Sequence, residues 1–233
     1  MINAMNTQQP RRCAWEQIET VLFDLDGTLL DLHFDNQFWL DYLPRSYAAA
    51  RSLSVGEAKT QLLAQYDALR GTLDWYCVDY WTQTLELDII GLKQQLAHLI
   101  APHPGVGELL TTLGQLGKRR VLVTNAHPHS LELKMRHTQL GDHFEQMVSA
   151  HDLKLAKETA EFWHELARIE PFNPQTTVLV DDNLDVLEQA AAHGLRWLIA
   201  VRQPDSQRPP VPPPQFPSVH GVGELLAELA GGT

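Results

Sequence analysis

The sequence predicts an α/β fold: a parallel β-sheet with helices on both faces and a helical cap inserted after the first strand. Three observations carry this. Short apolar runs such as Val21-Leu22-Phe23, Val121-Leu122-Val123 and Val178-Leu179-Val180 each stop at a polar or acidic residue. From residue 104 onward these runs alternate with amphipathic segments of helical period, the signature of parallel strands joined by crossover helices. Residues 31–103 break that rhythm, carrying helix-favouring segments, no convincing strand and most of the aromatic side chains.

Each element has a local reason. The 106–116 segment has apolar residues at helical spacing and stops at Gly117, a C-terminal signal. Residues 120–124 form a short buried strand. Residues 128–140 read as a helix ending at Gly141, 143–148 as a short strand and 158–169 as an amphipathic helix. Residues 177–181 are another buried strand, 184–193 a helix closed by Gly194, and 196–201 a strand. In the cap, 57–69 and 92–100 favour helix. Pro102, Pro104 and Gly105 mark the return to the core. The division is therefore 1–30 with 104–233 as the α/β core, and 31–103 as the cap. The proline-rich stretch 209–217 has no apolar period and reads as an extended surface connector, followed by a last short helix over 222–229.

Size and charge narrow the function. The 233 residues exceed one average domain and fall short of two large ones. A formal charge of −11 disfavours a nucleic-acid-binding surface, which needs clustered Lys and Arg. The same charge means that an anionic ligand would need local cations, from lysine or metal. Two cysteines, Cys13 and Cys77, have no metal-ligand spacing and form no disulfide framework, so they read as free thiols. No apolar stretch follows Arg11 and Arg12, and no run of about twenty apolar residues occurs, so neither a secretory leader nor a membrane span is expected. These features predict a cytoplasmic protein, monomeric or homodimeric.

The chemistry is concentrated at strand ends. In Phe23-Asp24-Leu25-Asp26-Gly27-Thr28 an apolar strand stops at two carboxylates one residue apart, then turns at a glycine. Alternation projects residues two apart to the same side. Two acids facing one spot repel each other, a cost tolerable where a cation sits between them or where they handle protons. A second apolar strand ends in Thr124-Asn125, whose hydroxyl and amides suit phosphate oxygens. Lys157 follows as a cation near the start of a later helix, with Lys154 as a competitor. A fourth segment runs Val180-Asp181-Asp182-Asn183, adjacent acids suited to a hard cation such as Mg2+, one ligating directly and the other through water. Asp182 or Asn183 can also cap the next helix. A parallel sheet brings such strand ends to one edge, where ligands bind.

Taken in order, these four segments resemble the motifs of the haloacid dehalogenase-like (HAD) hydrolase superfamily over residues 20–30 and 104–201. The resemblance implies a Rossmann-like core, Mg2+ as cofactor, Asp24 as nucleophile forming an aspartyl-phosphate, and Asp26 as general acid and base whose backbone carbonyl also binds the metal. It further implies Thr124 and the Asn125 amide as phosphate ligands, Lys157 as charge offset, and Asp24, Asp26, Asp181 and Asp182 around the metal. Related sequences often place proline before the lysine, where this chain has Ala156. Dehalogenases of the superfamily generally lack the second acid, so Asp26 points to phosphoryl transfer.

Further strings resemble bacterial purine 5′-nucleotidases that hydrolyse GMP and IMP. They are Asp31 to Trp39, Asp74-Trp75-Tyr76-Cys77-Val78-Asp79-Tyr80-Trp81, Thr124-Asn125-Ala126-His127-Pro128-His129, the helix from Leu131 to Thr138, and Gln203-Pro204-Asp205-Ser206. That resemblance implies a purine nucleotide substrate, with Trp75, Asp79 and His127 as candidate contacts. Aromatic rings stack on nucleobases, although Trp and Tyr at helical spacing also serve simply as cap core. The alternatives are a phosphatase or phosphomutase of sugar phosphates or phosphoglycolate-type esters, and an inactive binding relative.

Overall fold

The computed structural model describes residues 13–231. Six parallel strands form one sheet: β1 (Thr20–Phe23), β2 (Arg119–Thr124), β3 (Gln146–Ser149), β4 (Thr177–Asp181), β5 (Trp197–Val201) and β6 (Ser218–Val219), in the order β3-β2-β1-β4-β5-β6. β1 is central, with Leu22 opposite Val121 on one side and Leu179 on the other.

The central strands are apolar on both faces because both are covered. Val21 and Phe23 face the side where Leu109, Leu110 and Leu113 of the Val106–Gln115 helix pack. Leu22 points the other way, among Phe162, Trp163 and Leu166 of the Ala160–Ile169 helix and Leu187 of the Leu184–Ala192 helix. Each such side chain stabilises the fold by roughly 1.5–3 kcal/mol when fully buried.

Residues 33–99 contain helices: His33–Gln37, which runs through a wide π turn (Phe38–Tyr42) into Leu43–Arg51, then Val55–Leu69, Leu73–Tyr76, Val78–Leu85, Ile89–Gln95 and a 3₁₀ turn at Ala97–Leu99. They enclose their own apolar cluster, centred on Phe38, Leu62, Tyr66, Val78 and Trp81. Tyr66 and Trp81 meet edge-on at 5.1 Å and 85°, the favoured aromatic geometry.

Several element bounds differ from expectation, each for a local reason. The cap helix expected from residue 57 starts at Val55, because Ser54 and Glu57 form a reciprocal capping box. The helix expected over 92–100 begins at Ile89, capped by the Asp88 carboxylate, and breaks at Leu96. The 128–140 helix ends at Thr138, where Gln139 adopts φ 58°; Leu140–His143 is then a 3₁₀ turn, which pushes the following strand to Gln146. The 158–169 helix begins at Ala160, because the preceding residues are recruited to the site. β6 was not foreseen: two residues after a proline-rich stretch carry too little pattern to read. The two thiols are free, and Cys13 is half-buried against the core. Most of the segment expected to hold no leader, residues 1–12, lies outside the described residues. Among the described residues no helix is long and apolar enough to cross a membrane.

Candidate active site

The chain reverses direction across the sheet at β1, with β2 and β3 on one side and β4 to β6 on the other. This reversal opens a crevice at the carboxyl ends of the strands. Asp24 follows β1 directly and is buried, its amide donating to Val180 O at 3.0 Å. Gly27 turns the chain at φ 89°, and a Cβ there would stand 2.6 Å from Asp182 Oδ2. The glycine thus allows the β1 turn to close on the acids after β4.

Lys157, not Lys154, enters the site. Its buried Nζ donates to Asp24 Oδ1 at 2.7 Å and to Val123 O at 2.9 Å, and lies 2.7 Å from Asp181 Oδ2. Lys154 instead takes a left-handed conformation (φ 57°) at the end of the Ala150–Leu153 turn, and is exposed. Ala156 in place of proline leaves the lysine well fixed. Asn125 Oδ1 accepts from the Lys157 amide at 3.0 Å and Trp163 Nε1 donates to its carbonyl at 2.9 Å. Burial alone would lower the ammonium, but Asp181 and Asp24 outweigh it and hold Lys157 charged, above its ordinary value. Thr124 is buried at the end of β2, its Oγ1 accepting from Ala126 N at 3.0 Å, so the hydroxyl proton stays free to donate.

Asp24, Asp181 and Asp182 each offer a carboxylate oxygen, all within 4.8 Å of one another. Against these three charges stands the single Lys157 ammonium. Burial, and then the neighbouring carboxylates Asp24 and Asp181, push Asp182 well above the usual carboxylate range; burial pushes Asp24 up to about 6 despite Lys157. A hard-oxygen cluster with two uncompensated negative charges fits a divalent cation such as Mg2+. Asn183 caps the following helix, so the capping role falls to it rather than to Asp182.

Asp26 has a different environment, and the sequence did not disclose it. Lys134, buried on the Pro128–Thr138 helix, donates from Nζ to Asp26 Oδ1 at 2.6 Å and to Asp35 Oδ2 at 2.7 Å. Asp35 Oδ1 accepts in turn from the buried Lys93 Nζ at 2.6 Å, and that ammonium lies 4.9–5.3 Å from the ring centroids of Phe34, Phe38 and Trp39. An alternating chain of charges, Asp26–Lys134–Asp35–Lys93, therefore runs from the β1 turn into the helices above. Burial raises Asp26 to about 6 against the pull of Lys134, whereas Lys134 and Lys93 together overcome burial at Asp35 and hold it well below the usual range. Glu158 was also missed. It accepts from Tyr76 OH at 2.5 Å, Asn125 Nδ2 at 2.9 Å and Asn183 Nδ2 at 3.1 Å, tying the upper helices to the core. A lone Lys or Glu on an amphipathic helix carries no signal that would single it out.

These groups line a cavity of about 360 Å3 between the strand ends and the helices of residues 33–99. Asp24, Asp26, Thr124, Asn125, Lys157, Asp181 and Asp182 are at its polar end; Trp75, Tyr76 and His127 also face it. Asp79 is not among the lining residues. Its side chain is 70% exposed, with Oδ2 3.5 Å from His127 Nε2. His127 also caps the Pro128–Thr138 helix, Nδ1 accepting from His129 N at 3.3 Å.

Comparison with known proteins agrees with this architecture. Residues 18–194 match the family model of the haloacid dehalogenase-like hydrolases. The chain is 36% identical over 216 residues, 93% of its length and 97% of the relative's, to the GMP/IMP nucleotidase YrfG of Escherichia coli (strain K12). It is 27% identical over 151 residues, 61% of its length and 67% of the relative's, to the (S)-2-haloacid dehalogenase H-109 of Pseudomonas putida. Among solved structures, a HAD phosphatase from Thermococcus onnurineus superposes with a TM-score of 0.76 at 20% identity, covering 92% of this chain and 99% of that one. With the fold, the order of its strand-end motifs and the family match in agreement, the chain belongs to the haloacid dehalogenase-like hydrolases.

Proposed function

We propose that this hydrolase is a magnesium-dependent phosphatase of purine nucleoside 5′-monophosphates, GMP and IMP foremost. The observation that carries the phosphatase reading is the second acid: Asp26 is held by Lys134 at the cavity that Asp24 also faces. Phosphoryl transfer to Asp24 requires a proton for the departing alcohol, and a carboxyl raised towards neutrality can supply one. The purine reading is supported by the GMP/IMP nucleotidase relative, matched over nearly its whole length, and by aromatic walls in the cavity.

Asp24, Asp181 and Asp182, with the Asp26 carbonyl, would hold Mg2+. When bound, the ion neutralises the excess carboxylate charge and draws charge from the phosphoryl oxygens. Lys157 pairs with Asp24 Oδ1 and fixes the carboxylate rotamer, leaving its other oxygen for chemistry. An Asp24 oxygen attacks phosphorus, the ester P–O bond breaks, and the alkoxide takes the proton of Asp26. Asp26, now ionised, removes a proton from water as that water attacks the aspartyl-phosphate, releasing inorganic phosphate and restoring both acids. Lys134 holds Asp26 in reach throughout and stabilises its ionised form between the two steps. Thr124 Oγ1 and the Asn125 amide donate to the phosphoryl oxygens. Residues 31–103 act as a cap, in which Trp75 stacks on the base; His127, from the core, bounds the pocket, and Asp79 acts by orienting His127.

Phosphate release from GMP, IMP, AMP, pyrimidine nucleotides, sugar phosphates and phosphoglycolate, with and without Mg2+, tests this. The expected result is Mg2+-dependent turnover highest on GMP and IMP. Preference for sugar phosphates or phosphoglycolate would replace the purine assignment, and metal-independent turnover would remove the magnesium.

A further inference from the structure

His127 belongs to a second cluster, sharing no residue with the carboxylates, that the phosphatase chemistry does not use. Cys77, His127 and His151 each offer one ligand atom, Sγ or a ring nitrogen, and these atoms all lie within 4.8 Å of one another. They come from three places. Cys77 sits between the Leu73–Tyr76 and Val78–Leu85 helices, His127 follows β2, and His151 lies in the turn after β3. The 151 and 127 rings meet at 4.8 Å and 74°.

The ring of His151 shows what the cluster lacks. Its Nε2 is buried and has no hydrogen-bond partner. A buried acceptor without a partner forfeits its solvation, so it calls for a ligand. The Asn125 backbone acts on the same imidazole, an arrangement that suits donation from the other ring nitrogen to the Asn125 carbonyl. Metal-bound histidines are oriented in this way, one nitrogen on a carbonyl and the other on the ion. Burial holds both imidazoles below their ordinary value, His151 at about 4, so both are neutral, as ligation requires. Asp79 Oδ2 lies 3.5 Å from His127 Nε2 but outside the mutual 4.8 Å reach of the three, so the fourth position is left to water.

We propose that Cys77, His127 and His151, with water in the fourth position, form a site for a borderline-soft divalent ion such as Zn2+, separate from the carboxylate cluster. Thiolate and imidazole ligands select Zn2+ over Mg2+. Tetrahedral zinc sets such atoms about 3.4–3.6 Å apart, so the ligands draw slightly together on binding. The thiol gives up its proton to solvent. Ligation through His127 Nε2 moves the ring proton to Nδ1, so the long 3.3 Å contact with the His129 amide is given up. Because Cys77 belongs to the upper helices and both histidines to the core, the bound ion ties the two together.

The test needs no turnover. Metal-free protein titrated with Co2+ is expected to develop thiolate-to-cobalt absorption in the near ultraviolet and tetrahedral d–d bands, and Zn2+ is expected to displace them. Cys77→Ser is expected to abolish the thiolate band and weaken Zn2+ binding, measured by competition, by at least tenfold. His151→Gln is expected to weaken it similarly while keeping its far-ultraviolet circular dichroism. Cys13→Ser and Asp24→Asn are expected to retain the band, which places it on neither the other thiol nor the carboxylate cluster. Absence of a thiolate band in the unsubstituted protein, or its survival in Cys77→Ser, overturns the proposal. So does unchanged Zn2+ affinity in His151→Gln.

Discussion

The strand-end edge and the helical roof close on the same cavity, but they are stabilised in opposite ways. At the edge, buried charges compensate one another: Lys157 lies between Asp24 and Asp181, and Lys134 between Asp26 and Asp35. In the roof, rings pack edge to face and Lys93 is the buried cation, resting on aromatic faces and paired with Asp35. The difference separates two kinds of sensitivity. Edge carboxylates are desolvated and repel one another, so neutralising one costs the fold little and disturbs the chemistry first, whereas removing a lysine between them strands buried charge. Roof residues fill volume, so substitution there disturbs stability first, except where a ring faces the cavity.

The sharpest way to break this contrast is Asp24→Asn. Turnover is expected to vanish in a phosphate-release assay while the melting temperature holds or rises, because a repelling, desolvated charge is removed. Residual activity near that of the parent would take Asp24 out of the reaction. Chelation of divalent ions should come next, with loss of activity that added Mg2+ restores; activity that survives chelation would mean the carboxylate cluster works without a cation.

Lys134→Met probes the joint between the two regions. It strands Asp26 and leaves Asp35 with Lys93 alone, and breaking a buried pair costs about 3–5 kcal/mol. Both kcat and chemical-denaturation stability are expected to fall. A loss confined to stability would mean that Lys134 supports the fold without assisting Asp26.

Trp75 and Trp81 divide the roof. Trp75 is half-buried and faces the cavity, whereas Trp81 is 1% exposed and donates from Nε1 to Trp75 O at 3.0 Å. Trp81→Ala should lower stability by about 3–5 kcal/mol. Trp75→Ala should leave the fold largely intact and raise KM for GMP by an amount matching about 1–3 kcal/mol of lost stacking. If KM for GMP is unchanged, the base does not stack there.

The smallest expected effect is in the acid limb of the stability curve. Lys134 and Lys93 hold Asp35 below its unfolded value. The stabilisation is fully present above the unfolded carboxylate value of about 3.9 and fades as pH falls through the lower folded value. Asp35→Asn should therefore reduce stability at pH 7 and flatten its decline on acidification, followed by chemical-denaturation stability from pH 7 down to pH 2. An acid limb as steep as that of the parent would show that Asp35 gains nothing from the two lysines.

By itself the sequence determined where the acids gather. Strand termini are written locally: an apolar run must stop where its backbone leaves the sheet, and a carboxylate there is visible beside Val180 or Phe23. Asp24, Asp26, Asp181 and Asp182 were legible on that ground, Thr124 and Asn125 only in sequence with the other motifs, and the parallel sheet with both faces covered from the alternation of strands and helices. Tertiary structure alone decided which lysine enters the cavity. Lys154 and Lys157 are three residues apart, and the Asn125 side chain, reaching across from the end of β2, with Trp163 fixes the second inward. It also decided the partner of Asp26, which comes from 108 positions away, and set Asp79 outside the cavity lining. Amphipathic helices reveal which face is apolar but not which neighbour that face will meet. A charge buried against a distant partner has no local period to betray it, because its stability comes from a contact that exists only once the chain has folded.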